Sequence, residues 1–404
     1  MTTEFLDKTM FSEYSTRLPT FKRYGFIVNQ DDSVTDGTAK VRYLYDAYGK
    51  TPAGLDSSNN FSFGDWEDFC EDICKPVVLN ADGTIEYELD HTDQTKRIDG
   101  TASDYDSTST TYNFMSQFRK MYISITKPTS STLKVVFCDA KLDETYNAYA
   151  FTDEKGRIKD FAYMSMFNGI NSNSKIRSLK SSSQAIYSTS GATMRSYCQA
   201  NGIGWDFPSY SLWDHIQWLL VLISKSLDVK TKFGKGNISG GQNNPSLPGA
   251  LISTGMFSGT VANETSPVKT FYVENMWGNS WNWVNGLLSY NGNYWLKPTP
   301  PYTNSSLKGY KNVGAKPASG SYGAIKSMAP YMGLALCDST SGTDYSKWYC
   351  SRFYNGNGSS DATVRTALIG GCRFNGSSCS VFSVALDSTL TYSDWNVSCR
   401  LSFL

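Results

Sequence analysis

The side chains able to carry chemistry are few and scattered. Two histidines are present, His91 in a polar stretch and His215 within a helix-like pattern. A Ser/His/Asp triad therefore has two candidate bases, and neither sits in a recognisable nucleophile setting; His215 reads as a residue on the polar edge of its helix. Asp104 with Asp106, and Asp143 with Glu144, are the residue types that glycoside hydrolysis uses. They fall in turn-like sequence, where such pairs are ordinarily solvated charges. Nine cysteines are too sparse, and odd in number, for a disulfide scaffold. Cys70 and Cys74 share a probable helix face, yet no further cysteine pair or nearby histidine completes a zinc site, so buried free thiols are expected. Gly234-Lys235-Gly236 and Gly240-Gly241 have the glycine content of a phosphate loop but not its setting. A phosphate loop follows a strand and ends in Gly-Lys-Ser/Thr at a helix start; this cluster follows a helix pattern and runs on into loop. No catalytic residue, metal site or cofactor is expected, and the chain reads as non-enzymatic.

Charge and composition narrow the remaining classes. Thirty-seven basic residues balance thirty-seven acidic ones, so no long-range field favours nucleic acid or an anionic membrane. The most apolar helical run, residues 218–223, is far shorter than the roughly 20 residues a bilayer requires. The N-terminus carries early charges and lacks an apolar core of signal-peptide length. Aromatic residues reach 14% amid abundant Gly, Ser, Thr and Asn. Contact surfaces favour rigid rings among small hydrogen-bonding residues, and turn-dense folds share that palette.

The elements that must position such rings fall in three parts. Residues 1–40 are mostly polar and read as an arm that a partner orders. Residues 41–190 alternate strand-like pieces with turns, and Asp82-Gly83 between two alternating runs predicts a hairpin. The Ser/Asn-rich residues 171–184 read as a surface loop in which Ile176 and Leu179 still pack. Residues 191–404 open with two predicted helices. The first covers residues 193–200 and ends at Gly202 and Gly204. The second starts near Ser211, in a capping-box-like Ser211-Leu212-Trp213-Asp214, and its apolar residues recur at helical spacing on a stripe wide enough for a central core helix. Residues 232–270 lack periodicity. Then Trp277, Trp281 and Trp283 crowd into seven residues. The four-residue spacing of Trp277 and Trp281 suits one face of a short helix, with Trp283 pointing elsewhere, and Gly278 allows close backbone approach. An internal wedge is expected.

Gly278-Asn279-Ser280-Trp281-Asn282-Trp283 resembles the Gly-Asn-Val-Trp-Glu-Trp signature of the C-type-lectin-like fold shared by the formylglycine-generating enzyme family and the variable proteins of diversity-generating retroelements. Leu368-Ile369-Gly370-Gly371-Cys372-Arg373-Phe374 is similar to that fold's Leu-Arg-Gly-Gly-Ser-Trp segment, with Cys372 in place of Ser and Phe374 in place of Trp. Asn396-Val397-Ser398-Cys399-Arg400-Leu401 takes the place of its closing Gly-Phe-Arg strand. The narrower resemblance is to phage tail and fibre proteins with this fold. Asp82-Gly83 with Tyr87-Glu88-Leu89-Asp90, Arg195 with Gly202-Ile203-Gly204-Trp205, the apolar helix, Gly234-Lys235-Gly236, Glu274 to Trp283, and Gly370-Gly371 follow in the order those proteins show. The match covers residues 75–404 and leaves the arm outside.

The resemblance implies an α+β chain: a C-type-lectin-like fold with two core helices and a mixed, mainly antiparallel sheet, preceded by a β-rich half and the arm. Its structural motif would be Trp277, Gly278, Asn279, Trp281, Trp283, Gly370 and Gly371. It also implies a binding face across residues 348–395, built from Trp348, Tyr349, Arg352, Phe353, Tyr354, Asn355, Arg373, Phe374, Asn375, Tyr392, Asp394 and Trp395. Tyr, Trp and Arg dominate binding hot spots. The function implied is a virion protein on a tail or capsid surface that binds a host-surface glycan or protein. Its partners would be other virion proteins, held through the arm, and further copies in a homotrimer. A head fibre or capsid decoration protein is the alternative. The enzyme branch needs a reactive cysteine pair near the C-terminus, where Cys372 and Cys379 lie close in sequence; they read instead as loop thiols. The Glu-Pro-Asn or Gln-Pro-Asp triplet of calcium-dependent lectins is absent.

Overall fold

Tyr210–Ser224 forms a helix in which every residue is buried, as an apolar stripe covering most of a helix surface requires. Its cap lies two residues before the expected one. Ser209 is extended and its hydroxyl accepts from the Leu212 amide at 3.0 Å, while the Ser211 hydroxyl donates to the Pro298 carbonyl. The computed structural model describes residues 21–107, 111–317, 322–356 and 362–404. Among them no helix is long and apolar enough to cross a membrane. The preceding helix, Gly191–Gln199, starts from a Ser190 cap bonded to the Thr193 amide. Short helices at Glu67–Ile73 and Val229–Phe233 complete a chain that is otherwise β-rich, an α+β architecture.

Three large sheets build the fold, and the long helix packs against strands of the first and the third. The first is antiparallel and five-stranded, in the order Tyr146–Asn147, Tyr122–Thr129, Thr132–Cys138, Arg23–Asn29, Val41–Tyr45. The second has six antiparallel strands, and in it Phe161–Ser165 pairs with Ser402–Phe403 from the other end of the chain. It also contains the Asp82-Gly83 hairpin, Cys74–Leu79 with Ile85–Glu88, where Gly83 has φ +83°. The third is mixed. Trp281–Tyr290 pairs antiparallel with Arg365–Ile369 and parallel with Val397–Ser398, and Arg352–Tyr354 pairs parallel with Val384–Ser388.

Three expectations change in this fold. Arg23–Asn29, placed by its polar surroundings in an arm, lies between two strands of the first sheet, and Phe26 and Val28 are fully buried. A seven-residue strand with an alternating apolar set needs only a sheet of its own chain to order it. His215 is not on a polar edge: it is buried between Phe137 and Phe151, each ring 5.1 Å away and edge-on, and burial pushes its pKa down to about 3. The helix has no polar edge, because the first sheet covers the side that solvent would have occupied. Its neighbour Asp214 is equally buried; it accepts from Gln217, the Trp218 indole and the Ala335 amide, while burial pushes its pKa up to about 7. Finally, residues 274–283 form no helix. A hairpin, Lys269–Thr270 with Val273–Glu274, leads into a turn, and a strand begins at Trp281. Positive φ at Asn275 (+54°), Gly278 (+71°) and Asn279 (+55°) excludes helical continuation.

The rest of the chain is fastened by short local devices. Residues 171–184 hold the small hairpin Ile170–Ser172 with Lys175–Arg177, and Ile176 and Leu179 are fully buried. Asp-x-Ser/Thr turns recur at Asp36, Asp82, Asp90, Asp93, Asp99, Asp143 and Asp344, each carboxylate accepting from the backbone and hydroxyl two residues on. The larger core runs from Phe26 to Leu386 and draws on residues either side of position 190.

Candidate ligand-binding face

The base of the face is the turn before Trp281. The Gly278 amide donates to the Gly370 carbonyl at 3.1 Å, and a side chain on Gly370 would meet the Met276 carbonyl at 2.5 Å. Gly370 (φ +89°) can therefore lie against the tryptophan turn as no other residue could, and Gly371 (φ +76°) packs on Cys379 in the same way. Asn279 locks the contact. Its amide donates to the Asn237 carbonyl, its side-chain oxygen accepts from the Ser246 amide at 2.8 Å, and its carbonyl accepts from Arg373 Nη1 at 2.8 Å. The three indoles divide between two cores. Trp277 enters the main core, where its Nε1 donates to the Lys235 carbonyl and Gly236 lies on its ring. Within the Gly234-Lys235-Gly236 cluster that approach belongs to Gly236, while Gly234 lies against the backbone of Gly259 and Thr260. Trp281 and Trp283, two apart on a strand, share the second core with Met194, Leu368 and Val397. The expected partition, Trp277 with Trp281, followed from a helix that is absent.

Above this base the expected binding residues separate by burial. Tyr349 and Phe353 are core, and the Tyr349 hydroxyl donates to Gln30 at 2.9 Å. Trp348 is 9% exposed with φ +53°, and Asn355 is buried with its amide on the Pro317 carbonyl. These four residues line no surface. Arg373 is buried too, with its guanidinium 4.8 Å from the Trp395 ring and 5.0 Å from the Tyr187 ring. It presents those rings and is itself out of reach. Phe374 is 73% exposed and meets Trp395 edge-on at 6.3 Å. Asn375 is half-buried, and its side-chain oxygen accepts from the Cys372 amide. The exposed Tyr392 hydroxyl donates to Asp394 at 2.7 Å; burial first, and then this carboxylate, raise its pKa. Beside them, Tyr354 stacks on Tyr322 at 4.6 Å and 7°, and Arg352 lies over the Trp281 and Tyr322 rings. Two groups of accessible side chains result: Phe374 with Trp395, next to Asn375, Tyr392 and Asp394, and Tyr354 with Tyr322 and Arg352.

No protein-family model and no curated protein matches the sequence. Two solved structures, the Major Tropism Determinant U1 variant and its I1 variant, are each 14% identical to the chain at a TM-score of 0.27, over 96% of this chain and 73% of theirs. A TM-score of that size is too low to assign a shared fold.

Tyr322 was not legible as part of the face. It stands alone among small residues, and only the pairing of Gly323 with Phe353 and Ala324 with Arg352 sets it beside Tyr354. Cys372 and Cys379 are buried, and burial raises both thiols, Cys379 to about 12, the opposite of the lowered pKa of reactive cysteines. Among the described residues no group of three or more His, Cys, Asp or Glu could hold a metal ion. A separate cleft of about 760 Å³, lined by Trp205, Arg195, Asp206, Tyr302 and the 88%-exposed Ile203, shares no residue with the aromatic face. The Arg195 guanidinium there is already paired with Asp206 at 2.7 Å.

Proposed function

We propose that the chain is a non-enzymatic virion protein of a tailed phage, a tail fibre or receptor-binding protein with a C-type-lectin-like fold. In this reading it grips a host-surface molecule through the face formed by Phe374, Trp395, Tyr392, Asp394, Arg352, Tyr354 and Tyr322. The observation that carries it is the contrast at Phe374, a large apolar ring 73% exposed on a turn whose other side is sealed by Asn279 and Arg373. Exposed apolar surface on a rigid support marks an interaction site. Binding proceeds without turnover, and repeated copies, in a homotrimer, supply avidity. Arg23–Asn29 is built into the first sheet, so in this reading attachment to other virion proteins falls to the rest of residues 1–40.

The test is adhesion of the labelled full-length chain to a panel of bacterial strains. Phe374→Ala with Trp395→Ala is expected to reduce binding to the responsive strain at least about tenfold with an unchanged melting temperature, as hot-spot aromatics do. Adhesion that survives the double substitution would move the site elsewhere. Incorporation into particles without adhesion to any strain would favour a capsid decoration role.

A further inference from the structure

Arg352 is a cation of the face held among aromatic rings. Other arginines, Arg97, Arg119, Arg157 and Arg195, are matched with aspartates at 2.6 to 3.2 Å. Arg352 forms no ion pair among the described residues, and its Nε, shielded from solvent, has no hydrogen-bond partner there. Its guanidinium lies 5.1 Å from the Trp281 ring centre and 5.2 Å from that of Tyr322. Asp387 is near enough to feel its charge but makes no ion pair with it. With its planar faces engaged by rings, a guanidinium keeps its N–H edge for a planar anion, which a carboxylate matches with two parallel hydrogen bonds. The strand Arg352–Tyr354, pinned between Gly323–Tyr331 and Val384–Ser388, holds that edge in place.

A second feature sits beside it. Tyr322 is 50% exposed and its ring is stacked nearly parallel on that of Tyr354, a supported aromatic ring of the kind on which the C–H face of a pyranose ring packs. A carboxylate next to a pyranose ring is the chemistry of an acidic sugar. An acidic protein side chain would use the arginine and leave the platform idle.

Accepting the binding face above, we propose that its ligand is an acidic glycan, with a sugar carboxylate held by the Arg352 edge and the sugar ring seated on the Tyr322–Tyr354 pair. Binding therefore weakens with salt, and both halves of the site contribute.

The test uses the full chain against a panel of immobilised bacterial polysaccharides, acidic and neutral, each acidic polymer also present in carboxyl-reduced form. At least one acidic polymer is expected to bind, with affinity falling about tenfold or more on carboxyl reduction, on Arg352→Gln and on Tyr322→Ala, and Arg352→Lys recovering part of the loss as a charge without the planar fork would. Binding to neutral polymers only, binding indifferent to Arg352→Gln, or binding to no member of the panel overturns the proposal. Adhesion to whole cells, measured in parallel, separates the two readings. Cells bound through Phe374 and Trp395 but unaffected by Arg352→Gln or by stripping of surface polysaccharide would retain the receptor-binding role and replace the glycan with a protein.

Discussion

Arg373 and Arg352 belong to the same sheet region, and both contact aromatic rings, but they are opposites. Arg373 is 1% exposed and donates to the carbonyls of Asn279, Gln242 and Trp395, so its charge is spent on holding three chain segments together. Arg352 is half-buried and bonds nothing that would fix a neighbouring loop. The same division separates Trp283, fully buried with the backbone of Gly191 against its indole, from Phe374, which lies in the open. A base that spends its polar and aromatic groups inward leaves the rim's groups free at little cost to stability. Base and rim should therefore respond oppositely to substitution: one in folding, the other in binding.

The largest effect is expected from Trp283→Ala. The ring fills the second core among Met194, Leu368 and Val397, and its loss should cost about 3–5 kcal/mol, as large-to-small substitutions of buried aromatics do, read as a lower denaturant midpoint with an unchanged slope. A cost below about 1 kcal/mol would mean that the base is not a packed support.

The polar part of the base is tested by pH. Asp214 has a folded-state pKa of about 7 against an ordinary 3.8, so the folded chain binds the proton more tightly than the unfolded one. Its contribution favours folding at low pH and is lost as pH rises from about 4 to about 7. Asp214→Asn removes that titration, and its stability relative to the unsubstituted chain should improve by roughly 3–4 kcal/mol between those limits. Parallel stability curves across that window would show Asp214 titrating normally. The Asp-x-Ser/Thr turns act below this range, since Asp82, Asp90 and Asp143 have lowered values and weaken the fold only on acidification.

What could be read from residues alone follows from how local the cause is. The Asp82-Gly83 hairpin and the long helix rest on spacing within one segment, and both are legible. The helix cap is missed by two residues because Ser209 and Ser211 offer the same hydroxyl, and only Pro298, 87 residues on, claims Ser211. The burial of His215 and the place of Arg23–Asn29 depend on strands far along the chain, which composition cannot show. Across residues 348–395 residue type does not separate the buried Tyr349 from the half-buried Tyr354. Neighbouring residues on a strand point to opposite sides, so Phe353 goes to the core while Arg352 and Tyr354 reach the rim, and the phase is set by pairing with Gly323 and Val384.

The smallest stability effect belongs to the rim and is the most discriminating. Phe374 touches Trp395 at its edge and otherwise faces outward, so Phe374→Ala should change folding free energy by no more than about 0.5 kcal/mol. The turn beneath it does not depend on the ring. The Arg373 amide is held by Asn279, the Asn375 amide by the Cys372 carbonyl and the Gly376 amide by the Ile238 carbonyl, all through backbone groups. If the variant unfolds with the unsubstituted chain yet loses adhesion, the ring is kept exposed for contact. A variant that loses stability by several times that amount would make Phe374 part of the support, and the distinction between base and rim would fail at the residue where it is sharpest.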